Sequence, residues 1–494
     1  MKAYDDLMTF TRETQALGEV AGRLGWDQET MMPEGAAEQR GEEMGAMAGV
    51  LHARNTDPRI GEWLAACEGT VTDEVGKAQL RLIRRRYDRT MKVPARLASE
   101  IARATSTGQG IWARARKTDD TAAFMPTLAK IIALKVEEAD ALRQGTNKDR
   151  YDAMLDDYEP EATQTLLSGM FDDLRPRLVA LRDRVMGASY QPKPLSGTYS
   201  EEGQLALSKE LALTFGYDLN LGRIDKAVHP FSSGSGLDVR ITTRTNPADP
   251  FNCFYSTIHE VGHAAYEQNI DRAYLLTPVG GGVSMGVHES QSRSYENQIG
   301  RSRAFAGHLY GRMKDVFGDF GVANADAFHG AMNRVTPGYI RTESDEVQYN
   351  LHVLLRYDIE RALVSGDLST DDLPGAWNDR FFKDFGVKVD KASNGCLQDV
   401  HWSGGAIGYF PTYTLGNVYA GCLMEALRED LPDLDASLAK GDTSPATGWM
   451  KEHLQQFGGL REPVDTIHHA TGKKPTEGPL LDYLEAKFAR IYKL

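Results

Sequence analysis

Apolar residues recur at helical spacing along most of this chain. Leu7, Phe10, Leu17 and Leu24 predict a first helix that ends near residues 26–33. The same period predicts helices at about 36–52, 74–91, 95–115, 121–144, 161–186 and 200–215, with loops at 145–148 and 187–197. Further helices are predicted at about 250–269, 286–317, 343–365, 369–386, 412–429 and 478–492. The chain is therefore predicted to be mainly α-helical.

The pattern changes between about residues 219 and 245. Residues 224–228 and 237–244 are short, partly β-branched segments, and a stretch rich in Pro, Ser and Gly separates them. They predict a small sheet directly before the helix at 250–269. An edge strand of such a sheet could pair with an extended peptide. A purely structural hairpin is the alternative.

The domain organisation follows from length and from the absence of linkers. With 494 residues, the chain is long enough for one or two domains. No low-complexity segment, repeat or Pro/Gly-rich linker marks a boundary. We therefore expect a single domain over residues 1–494, with a functional site in a cleft between helices and the small sheet.

Charge and cysteine usage exclude several classes of function. The net charge of −14 argues against binding to nucleic acid or to an anionic membrane surface. The N-terminus is polar, and no apolar run is long enough to span a membrane. The four cysteines are scattered and read as reduced thiols. A cytoplasmic location is therefore expected.

Residues 259–263 read His-Glu-Val-Gly-His, inside the helix predicted at 250–269. Asp249 can cap that helix, and Pro250 suits its first position. Histidines four residues apart lie on one helical face, so His259 and His263 can bind one metal ion. Glu260 is then placed to act as general base on the attacking water, as in HExxH zinc peptidases. A pair of hydrogen-bonded core histidines is the structural alternative.

A catalytic zinc ion needs a third protein ligand. Asn269 stands where metzincins carry a third histidine, which excludes that class. Glu267 is one turn further along the same helix, and one straight helix cannot supply three ligands to bonds of about 2 Å. The ligand should come from the next helix, which offers Glu289 and, two turns later, Glu296. A solvated helix charge is the alternative for either glutamate.

Two polar stretches flank the predicted metal helix. On the strand before it, Asp238, Arg240 and Thr242 alternate and share one face. They could form a supporting network or a solvent face. Arg341 precedes the helix predicted at 343–365, where a guanidinium can hold a carboxylate by two parallel bonds.

A glycine-dense loop at about 395–413 carries candidate hydrogen-bond donors. His401, Tyr409 or Tyr413 could stabilise the oxyanion that forms when water attacks a peptide carbonyl. A tight aromatic turn is the structural alternative. Spacing alone does not choose among the three side chains.

Seven short strings occur together in this sequence. They are WDQETMMP (26–33), HPF (229–231), DVRIT (238–242), HEVGH (259–263), HESQS (288–292), IRTES (340–344) and GCLQDVHW (395–402). In this set and order the chain resembles the thermostable metallocarboxypeptidases typified by Taq carboxypeptidase. The resemblance runs over nearly the whole chain. Ser344 departs from it, since the family usually carries Ala there.

The resemblance implies roles for particular residues. His259, His263 and Glu289 are expected to be the metal ligands, with Glu260 as general base and general acid. Arg341 is expected to contact the substrate carboxylate, with Arg240 as runner-up. The remaining expected substrate contacts are His401, Tyr409, His229 and Asp238.

The resemblance also implies the setting of the site. We expect a mainly α fold with a small sheet beside a deep groove, N-terminal helices of about 1–100 above that groove, and a catalytic core of about 219–430. Zn²⁺ is the expected cofactor, with Co²⁺ as a substitute. The expected protein is a cytoplasmic homodimer that acts on peptides with a free C-terminus, releases single residues with broad specificity, and disfavours Pro.

Two other functions compete with this one. An endo-acting zinc oligopeptidase could share the helical architecture and the metal ligands. A non-enzymatic metal-binding protein would require a closed site with a fourth protein ligand such as cysteine. Comparing the cleavage of peptides with amidated and with free C-termini distinguishes an endo-acting oligopeptidase from a carboxypeptidase.

Overall fold

The computed structural model describes residues 2–494 and confirms the mainly helical fold. The first ten helices are α1 Lys2–Thr30, α2 Ala37–Asn55, α3 Pro58–Cys67, α4 Glu74–Lys92, α5 Ala95–Thr118, α6 Thr121–Leu142, α7 Arg150–Leu155, α8 Gln164–Met186, α9 Glu201–Thr214 and α10 Pro250–Asn269. The others are α11 Met285–Arg293, α12 Arg303–Phe317, α13 Ala325–Met332, α14 Glu346–Ser365, α15 Leu373–Phe385, α16 Pro411–Asp430, α17 Leu434–Leu438, α18 Ser444–His453, α19 Pro463–Thr471 and α20 Gly478–Tyr492. Each helix among residues 2–494 is too short or too polar to cross a membrane.

Short polar side chains fix where many of these helices begin. Asp249 accepts a hydrogen bond from the Phe251 N–H, and Pro250 takes the first position of α10, as the sequence predicted. Ser284 accepts from the Val287 N–H at the start of α11. Equivalent side-chain caps are made by Asp57, Asp120, Asp149, Thr163, Ser200, Ser302 and Asp345.

The small sheet lies before α10, as predicted, and has three strands. They are β1 Ile224–Lys226, β2 Ser232–Ser233 and β3 Arg240–Thr243, in the order β1-β3-β2. β1 pairs with β3 in parallel, with Ile224 opposite Ile241. β2 pairs with β3 antiparallel, with Ser233 opposite Arg240. The two segments predicted as strands are therefore parallel neighbours, and β2 comes from the stretch that separates them.

The chain divides into two compact units. The first unit contains residues up to Met91, Pro192–Met332 and Tyr419–Pro475. Its N-terminal helices share a core in which Leu7, Ile60, Leu64 and Ile83 are buried. Its sheet and α10 meet through Thr257, whose hydroxyl donates to Thr243 Oγ1 over 2.9 Å.

The second unit contains Lys92–Gln191, Asn333–Val418 and Thr476–Leu494. Here α5 and α6 form an antiparallel pair with Leu97, Ala104, Ile131 and Leu134 at its centre. α14 packs on α8 and on α15, and most of its residues are buried. The expected single domain, with N-terminal helices above a groove, stays a prediction.

The segment predicted as one helix at 286–317 is interrupted. α11 ends at Arg293, a π-helical segment follows over Ser294–Gly300, and α12 begins at Arg303. π-helical turns place successive side chains differently from an α-helix and often occur at functional sites. This one carries Glu296, the second candidate for the third metal ligand.

Candidate metal and catalytic site

α10 and α11 bring the predicted metal ligands together in the first unit. His259 and His263 project from one face of α10, and both Nε2 atoms face Glu289 on α11. Glu289 Oε2 lies 3.6 Å from His259 Nε2 and 3.4 Å from His263 Nε2. One ligand atom from each of the three residues lies within 4.8 Å of the other two.

These distances suit a metal ion. In a tetrahedral zinc site with bonds of about 2.0–2.1 Å, neighbouring ligand atoms are about 3.3 Å apart. The two nitrogen-to-oxygen distances are close to that value. Two imidazoles and one carboxylate are also a donor set that catalytic zinc uses in hydrolases, with a position left open. The three side chains therefore fit a divalent metal.

Gly262 explains why the two helices can come so close. A methyl group at this position would lie 2.5 Å from the Ser292 Cα and 2.7 Å from the Gln291 carbonyl oxygen. Backbone atoms cannot move aside as a flexible side chain could. The glycine of His-Glu-Val-Gly-His thus permits the crossing that sets Glu289 opposite the histidines.

Glu289 is fixed so that one oxygen faces the histidines. Arg293 Nε donates to its Oε1 over 2.7 Å, and Ser292 Oγ donates to its Oε2 over 3.1 Å. Burial raises the pKa of this carboxyl, but Arg293 and the two facing histidines outweigh burial and hold the pKa well below its usual range. Glu289 is therefore ionised at neutral pH.

Glu296 occupies a different position from Glu289. His259 Nδ1 donates to Glu296 Oε2 over 2.9 Å, which leaves His259 Nε2 free to face Glu289. Arg293 and Arg301 donate to the same carboxylate over 3.1 and 3.4 Å. Burial opposes ionisation, yet His259 and these arginines lower the Glu296 pKa to about 2. Its place behind His259 is typical of an outer partner that orients a metal-binding histidine.

Glu260 is buried beside these groups, with 6% of its surface exposed. Among residues 2–494, no side chain donates a hydrogen bond to its carboxylate. Burial, followed by the charges of Glu289 and Glu296, raises its pKa to about 7, and His259 opposes the rise. A carboxyl that is free of hydrogen bonds and exchanges protons near neutral pH suits a general base and acid.

A sequence model of the carboxypeptidase Taq (M32) metallopeptidase family matches residues 6–488. The chain belongs to this family. It is therefore a metallocarboxypeptidase, and its fold and divalent-metal chemistry are those of the M32 enzymes.

Relatives match this M32 enzyme over its full length. Thermostable carboxypeptidase 1 of Thermus thermophilus is 41% identical, with 99% of each chain covered. Carboxypeptidase 1 of Bacillus subtilis is 35% identical, with 96% of each chain covered. The crystal structure of the M32 carboxypeptidase from Deinococcus radiodurans R1 superposes with a TM-score of 0.96 at 36% identity and covers 100% of both chains.

The second unit of the M32 enzyme brings together three of the predicted substrate residues. The Arg341 Nη1 donates to the Tyr349 hydroxyl over 3.1 Å, and its Nε and Nη2 donate to Asp399 Oδ1 over 3.3 and 3.2 Å. The His401 ring stacks on Tyr409, with ring centres 5.5 Å apart. Burial and the neighbouring Arg341 lower the His401 pKa to about 4, so this imidazole is neutral.

The first unit holds the other predicted substrate residues. Arg240 donates to Asp238 through Nε and Nη2 over 2.7 and 2.9 Å, and its guanidinium lies 4.5 Å from the centre of the Trp26 ring. Asp238 also accepts from Arg23 of α1 over 2.8 Å. His229 is exposed in the loop between β1 and β2. The Asp238–Arg240 pair is a network that ties α1 to the sheet, rather than a solvent face.

His288, Glu267 and Glu360 have no role that their spacing in the sequence predicts. His288 lies one residue before Glu289 in the HESQS string, and Glu267 was set aside as too distant to bind the metal. Glu360 accepts from Trp402 Nε1, the Tyr151 hydroxyl and the Gly408 N–H over 2.8, 2.7 and 3.0 Å. Glu360 therefore fixes two points, Trp402 and Gly408, within the loop that carries His401 and Tyr409. Its signal in the sequence is an acidic residue on a face of α14 that also carries Arg356, Tyr357 and Leu363.

Proposed function

We propose that this M32 enzyme uses zinc to remove single residues from the C-terminal ends of peptides. The observation that carries the proposal is the convergence of His259 Nε2, His263 Nε2 and Glu289 Oε2 next to the Glu260 carboxylate. Two nitrogens and one oxygen at this spacing favour zinc, and cobalt can replace zinc in the same geometry.

Each residue at the centre has a part in the reaction. A bound zinc ion would polarise the scissile carbonyl and lower the pKa of a water molecule. Glu260 takes the proton from the attacking water and later gives it to the leaving amine. Burial raises the Glu260 pKa above its ordinary value, and a carboxylate with a raised pKa is a stronger base toward the attacking water.

Substrate recognition is the second part of the proposal. We assign recognition of the substrate carboxylate to Arg341, and contacts near the reacting carbonyl to His401 and Tyr409. His229, Asp238 and Arg240 complete the proposed set, with Asp238 and Arg240 acting mainly as support. Broad specificity with Pro disfavoured, a homodimer and a cytoplasmic location follow from likeness to the family and are proposed with it.

Replacing Glu260 by Gln tests the proposed chemistry. Gln keeps the shape and polarity of the side chain but cannot accept the proton, so turnover should fall by about 10²- to 10⁴-fold while zinc content persists. Turnover of a peptide with a free C-terminus and zinc content by elemental analysis are measured together.

The control is Glu62→Gln, which makes the same change at an exposed position of α3 and should leave both quantities unaltered. A Glu260→Gln variant that keeps a tenth or more of wild-type turnover, with its zinc in place, removes Glu260 from the proposed role.

A further inference from the structure

A chain of three hydrogen-bonding side chains leads away from His263. Its Nδ1 lies 2.7 Å from His288 Nδ1 on α11. The other nitrogen of that second ring, His288 Nε2, lies 2.9 Å from Glu267 Oε1. Glu267 is on α10, one turn beyond His263, so the chain leaves α10 and returns to it.

The positions of the protons along this chain follow from metal binding by His263 Nε2. To bind a metal through Nε2, a neutral His263 must carry its proton on Nδ1. That N–H then donates to His288 Nδ1, which must be an acceptor. His288 in turn carries its proton on Nε2, and the Glu267 carboxylate accepts it. One tautomer of each ring satisfies the whole chain.

The backbone at Gly282 helps to hold Glu267 and His288 in place. The Gly282 N–H donates to Glu267 Oε1 over 2.9 Å, the same oxygen that faces His288. A methyl group on Gly282 would lie 2.6 Å from His288 Cδ2 and 3.1 Å from its Nε2. Gly282 therefore donates a hydrogen bond to Glu267 and leaves space for the His288 ring.

The two metal-binding histidines are oriented in different ways. Glu296 contacts His259 Nδ1 directly, whereas Glu267 reaches His263 through the His288 imidazole. The His288 imidazole connects the two residues of α10, because one of its nitrogens contacts His263 Nδ1 and the other contacts Glu267 Oε1.

We infer that Glu267 and His288 are positioning residues that hold His263 in its metal-binding tautomer, and that Glu267 acts only through His288. This Glu267–His288 relay rests on the proposed metal centre. Outer partners of this kind contribute about 10- to 100-fold to metal affinity. The inference concerns affinity for the metal, so it can be tested without measuring turnover.

Two substitutions at position 288 separate hydrogen bonding from packing. In His288→Gln the amide can accept from His263 and donate to Glu267, so zinc affinity should stay near the wild-type value. In His288→Phe the ring remains but both hydrogen bonds are lost, and the zinc dissociation constant should rise by about 10- to 100-fold. Competition with a chromophoric chelator measures both. Equal dissociation constants for the Gln and Phe variants would overturn the relay.

A double variant tests whether Glu267 acts through His288. Glu267→Leu should weaken zinc binding, and Glu267→Gln, which keeps an acceptor oxygen, should weaken it less. Adding Glu267→Leu to His288→Phe should cause little further loss, because the contact between them is already broken. Losses that multiply in the double variant would overturn the assignment. If His288→Phe does not fold, the comparison of Leu with Gln at position 267 decides.

Wild type and His263→Ala are measured in the same competition experiment. Equally tight zinc binding by these two would overturn the proposed metal centre itself. If wild type binds zinc tightly and His263→Ala binds it weakly, the metal centre stands. If the relay variants then do not follow the predicted order, only the relay is overturned.

Discussion

Arg341 and Arg356 share the single carboxylate of Asp399. Arg341 donates to Oδ1, and Arg356 donates to Oδ2 through Nε over 2.7 Å and also through Nη2. Burial disfavours the charge on Arg341, but Tyr349, Asp399 and Tyr413 outweigh burial and raise its pKa above the ordinary value. Two guanidinium groups and one carboxylate leave one positive charge in a buried place. A chain end that carries a carboxylate is attracted to such a charge.

The Arg341→Ala substitution should remove this recognition. The value of kcat/KM for a free-acid peptide should fall. The loss should correspond to about 2–5 kcal/mol of transition-state stabilisation, which is the cost of losing a buried charge pair. An amidated peptide carries no terminal charge, so it should lose less. The ratio of kcat/KM for the acid to that for the amide should therefore shrink.

Arg240→Ala is the matched control for that experiment. Asp238 holds two nitrogens of Arg240, and the Arg240 side chain is 22% exposed, compared with 5% for Arg341, so water screens its charge more strongly. We therefore expect the acid-to-amide ratio of this variant to stay near that of wild type. An unchanged ratio in Arg341→Ala, or a ratio that collapses only in Arg240→Ala, would transfer the carboxylate contact to Arg240 or to another cation.

Single residues were predictable where spacing on one helix determines geometry. His259, Glu260 and His263 follow from a period of 3.6 residues, and the structure places them as that period requires. The Glu267–His288 contact spans two helices and could not be read from spacing. Its cause is the close crossing at Gly262 and the space at Gly282, and these are properties of packing.

At the scale of elements, the site depends on how closely α10 and α11 cross. The histidines belong to α10 and Glu289 to α11, so the distance between the helices sets the distance between the proposed metal ligands. Because a side chain at Gly262 would meet backbone atoms of Gln291 and Ser292, any larger residue must push the helices apart. Stability and metal affinity are therefore coupled at this position.

Gly262→Ala should lower both quantities. Overpacking against the backbone should cost about 1–3 kcal/mol of unfolding free energy, and zinc affinity should fall because Glu289 moves away from the histidines. Urea unfolding of the metal-free protein and zinc competition measure the two effects.

Gly307→Ala in α12 is the matched control, since a methyl group there meets no atom within 4 Å. Exchange of an exposed helical Gly for Ala should leave stability unchanged or raise it by up to about 1 kcal/mol. If Gly262→Ala were as stable as Gly307→Ala and bound zinc normally, the crossing at Gly262 would not determine the site.

The longer amphipathic helices were predictable from sequence, and several short elements were not. α7 has six residues and α17 has five, too few to show a helical period. β2 consists of two serines, and it is a strand because Phe231 and Thr242 exchange hydrogen bonds next to it. The π-helical segment after α11 also has no signature in the hydrophobic pattern. Tertiary contacts decide each of these elements.

At the scale of the whole molecule, charge is distributed unevenly around the metal centre. The chain carries a net charge of −14, and the centre adds Glu289 and Glu296, both with lowered pKa values, beside Glu260. Arg293 and Arg301 supply the nearby positive charge. A divalent cation would add further positive charge to this cluster of buried carboxylates.

The zinc content of wild type and of His263→Ala tests the central claim most directly. Elemental analysis of the purified wild-type protein should give about one zinc ion per chain, and His263→Ala should lose it, because two protein ligands hold zinc much more weakly than three. His52→Ala, which removes an exposed histidine at the end of α2, should keep the wild-type content. Full zinc occupancy in His263→Ala would contradict the assignment of His259, His263 and Glu289 as the metal centre.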